Sequence, residues 1–534
     1  MDTKDVDSSR LNLKKLLNPA FYDHPVTQVE LVETHISWIF LAGDFAYKLK
    51  KPVDFGFLDF STRAKRQHFC REELRLNLRF APQLYLAVVT IGGTPEEPEL
   101  NATPVLEHAV KMKRFPQEQQ LDRMLAAEQL TAAHLEKFAE TIAEAHQQAA
   151  RAGAQQSFGA PQAIIAPILQ NFSQIRAFLS AAEMLRQVDL LESWSREAHA
   201  QLAELFRNRH AGGFIRECHG DIHLGNMAWF HDEPVLFDCI EFNENLRWID
   251  TMNDIAFLIM DLDDHGHRQF AGQFLNRYLE KTGDYSGTLL LNFYKVYRAL
   301  VRAKVLCLRL SQPGMSRTER SADLKLVSSY LRLASSYIAL RKPLLMITHG
   351  FSGSGKTSFA TQLAPLCDAV CLHSDVERKR LYQIAANENS HSPIAGGIYS
   401  ISSGLKTYNR LCHLADTLLK AGITVIIDAT FIKKTAREQV SRLAQDHQVP
   451  LLILDFHLAE DELRRRLKLR SKQAKSVSEA GEEILDYQRG QEDPLCEQEL
   501  KNSMIIHQDT EVAQIAKQVI KMQHQAQVRR KQVG

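Results

Sequence analysis

The sequence lacks the features that mark secreted, membrane-spanning and zinc-binding proteins. Its eight cysteines form no C-x-x-C pair and no His/Cys cluster at zinc spacing. The first ten residues, MDTKDVDSSR, contain no apolar stretch like that of a signal peptide, and no apolar run reaches the ~18 residues of a membrane span. We therefore expect a cytoplasmic protein with reduced, mostly buried thiols and no membrane partner.

An excess of one charge is also missing. The chain has 65 basic and 64 acidic residues, which argues against a nucleic-acid or membrane-surface protein. Its 534 residues are too many for one ordinary core, and its 45% apolar composition is sufficient for globular folding. We expect two domains, whereas the composition does not predict an oligomeric state.

The pattern of apolar residues changes near residue 342. From about 121 to 210 and from 250 to 340, apolar residues recur every three or four positions, which is typical of amphipathic helices. Downstream, the short apolar runs LLMIT, AVCLH, TVIID, LLILDF and MIIH alternate with helical patterns and predict a parallel sheet covered by helices. The expected parts are a domain at 1–341, a second domain at 342–524 and a flexible tail at 525–534.

A phosphate-binding loop opens the second domain. LLMITHGFSGSGKTSFATQL combines a buried strand, a glycine-rich turn and a helix start, the context that the motif G-x-x-x-x-G-K-[ST] requires. Its glycines let backbone N–H groups approach phosphates closely. We expect Lys356 to reach the β and γ phosphates and Thr357 to ligate magnesium. The other predicted nucleotide-binding residues are Gly350, Gly353, Ser354, Gly355 and Ser358.

Carboxylates follow the next two strands of this domain. Asp375 comes directly after the second strand, where open α/β sheets bind ligands, and Arg378 follows one helical turn later. A carboxylate there can take a proton from an attacking hydroxyl, although Ser374 or Asp375 could instead cap the following helix. Asp428 ends the third strand and is a predicted magnesium ligand.

Arginines are concentrated in the later stretch AEDELRRRLKLR. Arg466 and Arg470 share one helical face and could offset charge that develops on a transferred phosphoryl group. A solvated charged helix is the alternative. The segment at 388–400 is expected to shape an acceptor pocket.

Residues 343 to 524 resemble the P-loop kinase group that includes gluconate kinases, chloramphenicol phosphotransferases, zeta toxins and the 5′-kinase domain of polynucleotide kinase. The matching pieces are GFSGSGKT, SDVERKR, VIIDATF, RRLKLR and SVSEA at 476–480. The resemblance implies that Asp375 contacts the acceptor hydroxyl and that arginines assist transfer. Those arginines would be Arg378, Arg466 and Arg470.

A second catalytic motif lies in the first domain. HGDIHLGN at 219–226 precedes PVLFDCIEF, in which VLF predicts a short strand that leads to Asp238. The spacing resembles the protein-kinase motif H-x-D-x-x-x-x-N, whose aspartate orients the acceptor hydroxyl and whose asparagine and later aspartate bind magnesium. Asp221, Asn226 and Asp238 match these positions, although an asparagine also suits a simple turn.

The N-terminal segment offers the remaining groups of such a site. HISWIFLAGDFAYKLKKPV predicts paired strands around Gly43 and places Lys48 like the phosphate-binding lysine of V-A-I-K. Glu72 and Glu73 follow in a helical pattern, and Glu73 is the preferred partner of Lys48. The segment VKMKRFP at 110–116 is expected to line the adenine pocket. Solvated edge-strand lysines and a surface glutamate are the alternative.

Residues 25 to 340 resemble the aminoglycoside phosphotransferase-like branch of the protein-kinase fold. The residues that carry this resemblance are Lys48, Glu73, His219, Asp221, Asn226 and Asp238. The segment RWIDTMNDIAFLIMDLD resembles the helix after the metal site, in which Asp250 and Asp254 would be structural supports. FDCIEF replaces D-F-G, so Glu241 is a further candidate at the metal site.

The whole chain resembles bacterial two-kinase fusion proteins. The resemblance implies a bilobal α+β kinase domain, a second domain with an α/β doubly wound parallel sheet, ATP and Mg2+ as cofactors, and small hydroxylated acceptors. The leading hypothesis is a bifunctional ATP-dependent phosphotransferase. An ATP-driven regulator is one alternative. A C-terminal kinase of nucleic-acid ends is another, against which the neutral net charge counts.

Overall fold

The structure is a computed structural model that describes residues 11–56, 58–153, 155–310, 314–339, 342–386, 388–390, 392–393, 396–470 and 483–531. Its contacts divide the chain into two units, Met1–Asp261 with Tyr297–Ser328, and Leu262–Val296 with Ser329–Gly534. The first unit is thus interrupted by a segment that folds with the second. The domain limits expected near residue 342 stay a prediction.

An antiparallel sheet of six strands, in the order β1-β2-β3-β6-β4-β5, opens the first unit. Its strands are β1 (Val29–Glu33), β2 (Ser37–Ala42), β3 (Phe45–Lys50), β4 (Tyr85–Gly93), β5 (Pro98–Leu100) and β6 (Val105–Lys113). Helix α1 (Leu13–Leu16) precedes the sheet, and α2 (Arg63–Asn77), capped by the Thr62 side chain, follows β3. Because β3 pairs with both β2 and β6, Lys48 lies in an interior strand, and the edge-strand alternative is wrong.

The middle of the chain is mainly helical, as the apolar periodicity predicts. Its helices are α3 (Leu121–Ala126), α4 (Ala132–Gln148), α5 (Pro161–Arg176), α6 (Ala182–Ala211), α7 (Glu244–Arg247), α8 (Thr251–Asp264), α9 (Arg268–Thr282), α10 (Thr288–Arg309) and α11 (Arg317–Ile338). Two small antiparallel pairs join β7 (Ile215–Glu217) to β10 (Trp248–Asp250) and β8 (Met227–Phe230) to β9 (Glu233–Leu236). The motif at 219–226 lies between β7 and β8, and Asp238 follows β9.

The second unit contains the predicted parallel sheet, in the order β12-β13-β11-β14-β15. Its strands are β11 (Leu345–His349), β12 (Ala369–His373), β13 (Thr424–Asp428), β14 (Leu451–Phe456) and β15 (Ser503–Ile506). The helices are α12 (Lys356–Leu366), α13 (Ser374–Leu381), α14 (Ile401–Lys420), α15 (Lys434–Asp446), α16 (Glu460–Arg470), α17 (Glu483–Arg489), α18 (Glu497–Lys501) and α19 (Val512–Lys531). The apolar runs fill the core, where Met346, Ile426 and Leu452 are at most 2% exposed.

Two further expectations concern the tail and the cysteines. Helix α19 continues to Lys531, so it covers most of the segment expected to be a flexible tail. All eight cysteines are free, and six are buried. None of the helices in the described part of the chain combines the length and the apolar character that crossing a bilayer requires.

Candidate functional site

Asp254 of α8 anchors the loop at 219–226 through hydrogen bonds to its backbone. The Asp254 carboxylate is fully buried and accepts hydrogen bonds from the backbone N–H groups of His219 (3.0 Å) and Gly220 (2.9 Å). His146 lies 3.1 Å from the same carboxylate. Asp250 is held separately by Arg209, through two hydrogen bonds of 2.6 and 2.7 Å. Both aspartates therefore contact structural groups rather than the open site.

Asp221 is held in its ionised form beside Asn226. The Asn226 amide donates to the Asp221 carboxylate at 2.9 Å, which leaves the Asn226 carbonyl oxygen for another ligand. Burial tends to raise the pKa of Asp221, but the nearby charges of His223 and Arg298 lower it to about 2. Sequence reasoning missed His223 and Arg298. Arg298 lies in α10, 77 positions after Asp221 in the sequence. Its guanidinium donates a hydrogen bond to the Gly220 carbonyl at 3.0 Å.

Lys48 lies between two carboxylates. Its Nζ is 2.9 Å from Glu73 Oε1 and 2.5 Å from Asp238 Oδ1. Burial opposes a charged Lys48, yet Asp238 and Glu73 raise the pKa of Lys48 well above its usual value. Glu72 instead pairs with Arg75 of its own helix at 2.8 Å. The structure therefore places Glu73, and not Glu72, against the lysine.

Lys50 joins the same buried cluster, which the sequence did not indicate. Since side chains alternate along a strand, Lys50 shares a face of β3 with Lys48. Its Nζ lies 2.7 Å from Glu73 Oε2 and also contacts Glu241. Burial tends to raise the pKa of Glu73, but Lys48 and Lys50 lower it to about 2. Burial raises the pKa of Glu241.

A cavity of about 410 Å³ opens beside the segment that was expected to line the adenine pocket. Gly43 and Asp44 line one side, and Arg114, Phe115 and Gln117 line another. Gly43 adopts a left-handed φ of 55°, and a side chain there would meet the Pro25 carbonyl at 2.8 Å. The left-handed turn between β2 and β3 and its close approach to Pro25 therefore favour glycine at this position.

The oxygen atoms near Lys48 and Asp221 fit a magnesium ion. Asp238 has a left-handed φ of 64°, and its side chain is 45% exposed. Its carboxylate is thus available to a ligand, and the Asn226 carbonyl oxygen is a second donor of the hard type that Mg2+ prefers. Burial lowers the pKa of His219, although the charges of Asp254, Asp221 and Asp238 oppose that effect.

The phosphate-binding loop of the second unit connects β11 to α12. Gly350, Gly353 and Gly355 have φ values of 133°, 87° and 94°, a region that other residues rarely adopt. Lys356 Nζ donates to the Phe351 carbonyl at 2.6 Å and lies 3.3 Å from Ser354 Oγ. Ser358 is exposed in the first turn of α12. The loop backbone and this helix terminus together can bind an anion.

Thr357 and Asp428 meet at the carboxyl end of the sheet. The Thr357 hydroxyl donates to Asp428 Oδ2 at 2.7 Å, and His373 Nδ1 lies 3.0 Å from the same oxygen. Burial tends to raise the pKa of Asp428, but the hydrogen bond and charge of His373 lower it. A hydroxyl and an ionised carboxylate in contact fit a magnesium ion bound beside the phosphate loop.

Asp375 and Arg378 occupy one side of α13. The N-cap of this helix is His373, without a side-chain capping bond, so the alternative of Ser374 or Asp375 as the cap is wrong. The Arg378 guanidinium stacks over Tyr399 at 4.8 Å, and its Nε is buried without a hydrogen-bond partner among the described residues. An unsatisfied cationic donor beside a carboxylate suits an acceptor site.

Helix α16 packs against the phosphate loop. A side chain at Gly353 would meet Leu467 at 3.1 Å, and one at Gly355 would meet the Arg466 guanidinium at 3.5 Å. Arg466 also pairs with Glu462 at 2.6 Å. Helix α16 ends at Arg470, whose side chain lies outside the described residues, as does the SVSEA segment at 476–480.

Gln488 of α17 is a contact of the phosphate loop that sequence reasoning missed. Its side-chain oxygen accepts from the Ser352 N–H at 2.9 Å, and its amide donates to Ser352 Oγ at 2.9 Å. The N–H group and the hydroxyl of Ser352 are therefore both fixed by one amide. No motif signals this pairing, because the two residues are 136 positions apart.

Mycobacterial relatives match most of the chain. Uncharacterized protein Rv2004c from Mycobacterium tuberculosis is 32% identical over 426 residues, which cover 79% of this chain and 83% of the relative. Uncharacterized protein Mb2027c from Mycobacterium bovis matches with the same identity and coverage. The chain belongs to the same family as these mycobacterial proteins.

Two family models match within this family member. Residues 57–291 match the phosphotransferase enzyme family, and residues 345–495 match an AAA domain. With the two folds described above, they confirm a kinase-like first domain and a P-loop kinase-like second domain. The chain is an ATP-dependent phosphotransferase.

Solved structures resemble each part separately. Amicoumacin kinase hAmiN covers 61% of this chain and 94% of its own length, at 10% identity and a TM-score of 0.39. A gluconokinase from Sinorhizobium meliloti covers 35% of this chain and 94% of its own length, at 18% identity and a TM-score of 0.25.

Proposed function

We propose that this family member is a bifunctional phosphotransferase, which moves the γ-phosphate of ATP to hydroxyl groups of small-molecule acceptors at two separate sites. The supporting observation is that each unit contains its own lysine for phosphate, oxygen ligands for Mg2+ and carboxylate for a hydroxyl. In the first unit these are Lys48, Asn226 with Asp238, and Asp221. In the second unit they are Lys356, Thr357 with Asp428, and Asp375. The cytoplasmic location stays a prediction.

At the first site, Asp221 accepts a hydrogen bond from the acceptor hydroxyl and orients its oxygen toward the γ-phosphorus. The Asn226 amide fixes Asp221, and the low pKa of Asp221 keeps it ionised at neutral pH. The acceptor O–P bond forms as the hydroxyl proton passes by way of Asp221 to solvent, the bond between the γ-phosphorus and the β-phosphate oxygen breaks, and ADP leaves. Nucleotide phosphates compete with Asp238 for Lys48. Asp238 and Asn226 would hold Mg2+, which would neutralise phosphate charge.

At the second site, the same transfer uses a contiguous loop. Backbone N–H groups and Lys356 bind the phosphates, and Thr357 and Asp428 would hold Mg2+. Asp375 orients the acceptor hydroxyl, and Arg378 binds the acceptor. Arg466 stabilises charge on the transferred group from beside Gly355. Arg470 has the same proposed role.

The test is transfer of labelled γ-phosphate from ATP into a deproteinised bacterial metabolite extract. The full chain is compared with Asp221→Ala and with Lys356→Ala. Each variant should lose a different set of labelled products, because each substitution removes one site. The matched controls are Asp189→Ala and Lys420→Ala, whose side chains are 65% and 60% exposed. Both controls should label all the products of the parent chain.

Two other outcomes would contradict the proposal. If Asp221→Ala and Lys356→Ala lost the same products, the chain would have one transfer site. If no metabolite were labelled and only Lys356→Ala stopped phosphate release, a nucleotide-driven regulator would explain the result better.

A further inference from the structure

Lys50 is almost fully buried, although the proposed mechanism gives it no role. It is 1% exposed and contacts two carboxylates, those of Glu73 and Glu241. A buried ammonium without a partner would be strongly destabilising, and the charges of Glu241 and Glu73 both raise the pKa of Lys50 against the effect of burial. Lys50 and Glu241 are 191 positions apart in the sequence, so only the folded chain brings them into contact.

The two oxygens of Glu73 serve different lysines. Oε2 accepts a hydrogen bond from Lys50 at 2.7 Å, whereas Oε1 lies 2.9 Å from Lys48. Among the described residues, Oε1 has no hydrogen-bond partner, and the hydrogen bond of Lys48 goes to Asp238. Lys50 therefore fixes the carboxylate whose other oxygen faces the proposed phosphate-binding lysine.

The charges of the cluster indicate when the contact between Lys50 and Glu73 affects Lys48. Two lysines, Lys48 and Lys50, share three carboxylates, those of Glu73, Glu241 and Asp238. If Asp238 bound a metal ion, the charges of the remaining two lysines and two glutamates would balance. Glu73 would then be the carboxylate of the cluster that orients Lys48. A Glu73 side chain without Lys50 would lose the hydrogen bond that sets its rotation.

We propose that Lys50 is a positioning residue for nucleotide binding at the first site, where it holds Glu73 against Lys48 and uses Glu241 as its second counter-ion. The inference rests on the proposed function, because it requires that the first site bind ATP. The competing explanation is that Lys50 only neutralises Glu241 and stabilises the fold.

The experiment measures the affinity of the full chain for the magnesium complex of a non-hydrolysable ATP analogue by calorimetry. All proteins carry Lys356→Ala, so that binding at the second site is removed. The decisive variant is Lys50→Met with Glu241→Gln, which takes away the lysine without leaving Glu241 charged, while Glu73 keeps Lys48 as a counter-ion. Glu241→Gln alone, which keeps Lys50, should bind like the parent. Lys51→Met is the matched control, because Lys51 pairs at 2.5 Å with Glu33, whose side chain is 60% exposed.

The double variant should bind the analogue roughly tenfold to a hundredfold more weakly, the loss expected for one charge-assisted hydrogen bond. Its thermal unfolding should stay close to that of the parent, and Lys51→Met should bind like the parent. Fold stabilisation alone predicts a different result, since a folded, charge-balanced double variant would then keep the parent affinity. Lys50→Met alone, by contrast, should also lower the thermal stability.

Lys48→Ala separates failure of this inference from failure of the proposed function. If the double variant binds like the parent while Lys48→Ala loses binding, Lys50 is not a positioning residue. If Lys48→Ala also binds like the parent, the first site does not use Lys48 for nucleotide, and the inference about Lys50 fails with that assignment.

Discussion

The two proposed phosphate-binding lysines are held by different kinds of contact. Lys356 donates to the Phe351 carbonyl, five positions away in the same loop. Lys48 lies between Glu73 and Asp238, and Asp238 is 190 positions away. The contact of Lys356 with the Phe351 carbonyl is neutral and local in the sequence. The first site depends on ionic contacts that only the folded unit brings together.

This difference predicts that damage to the scaffold of the first unit removes its site as well. The largest effect is expected for Asp254→Ala, which leaves the buried N–H groups of His219 and Gly220 without an acceptor. We expect a loss of about 3 kcal/mol in the free energy of unfolding, and loss of transfer at the first site. Denaturant unfolding and labelled-phosphate transfer measure the two effects.

The second site provides the internal comparison for Asp254→Ala. Products that depend on Lys356 should still be labelled at a temperature at which the variant is folded. The exposed substitution Asp189→Ala should change neither quantity. Normal transfer at the first site in Asp254→Ala would show that the loop at 219–226 does not need this anchor.

A pH experiment tests whether the folded first unit shifts the charge of a buried group. His108 of β6 is such a group. Burial and the charges of Arg71, Arg63 and Arg66 lower the pKa of His108 from 6.5 to about 4. Folding therefore favours the neutral ring. Its contribution to stability is complete above pH 6.5 and is lost as the pH falls toward 4.

The chain should accordingly lose more stability between pH 7 and pH 5 than His108→Gln does. The difference is at most about 2 kcal/mol at pH 5, from the shift of the pKa. Denaturant unfolding at the two pH values checks it. Equal losses in the parent chain and the variant would mean that folding does not lower the pKa of His108.

The contrast between local and distant contacts also explains which features the sequence could predict. The phosphate loop was predictable because one strand, three glycines and one lysine follow each other in the order that phosphate binding requires. The apolar runs predicted the parallel sheet for a similar reason, since each strand buried on both faces is a continuous apolar stretch. These signals are local in the sequence.

Contacts between distant segments were not predictable. A solvated charge was the alternative interpretation of Lys50, because no motif links it to its partners. Glu73 lies in a helix, and Glu241 lies in a loop 191 positions away. Arg298 carries no motif, and its effect on Asp221 depends on how α10 packs. The sequence also left Asp375 open as a helix cap, and only the start of α13 at Ser374 decides that point.

At the second site, Gln488 is a test of whether local contacts are sufficient. Gln488→Leu removes two hydrogen bonds to Ser352, worth roughly 1 kcal/mol in net effect. We expect the KM for ATP at this site to rise roughly fivefold, because the tip of the loop is no longer fixed. The exposed substitution Gln445→Leu is the matched control. An unchanged KM in Gln488→Leu would mean that the loop orders itself.

The smallest effect is expected for Glu72→Gln, which separates the two neighbouring glutamates of α2. Glu72 pairs with Arg75, whose side chain is 48% exposed, so its loss should cost about 0.5 kcal/mol. Nucleotide binding at the first site should not change, because Glu72 contacts Arg75 and Arg247, whereas Lys48 and Lys50 contact Glu73. Glu73→Gln should weaken that binding, since both lysines contact its carboxylate. If Glu72→Gln weakened binding more than Glu73→Gln, the ionic cluster around Lys48 would not be the phosphate site, and the contrast between the two lysines would lose its functional meaning.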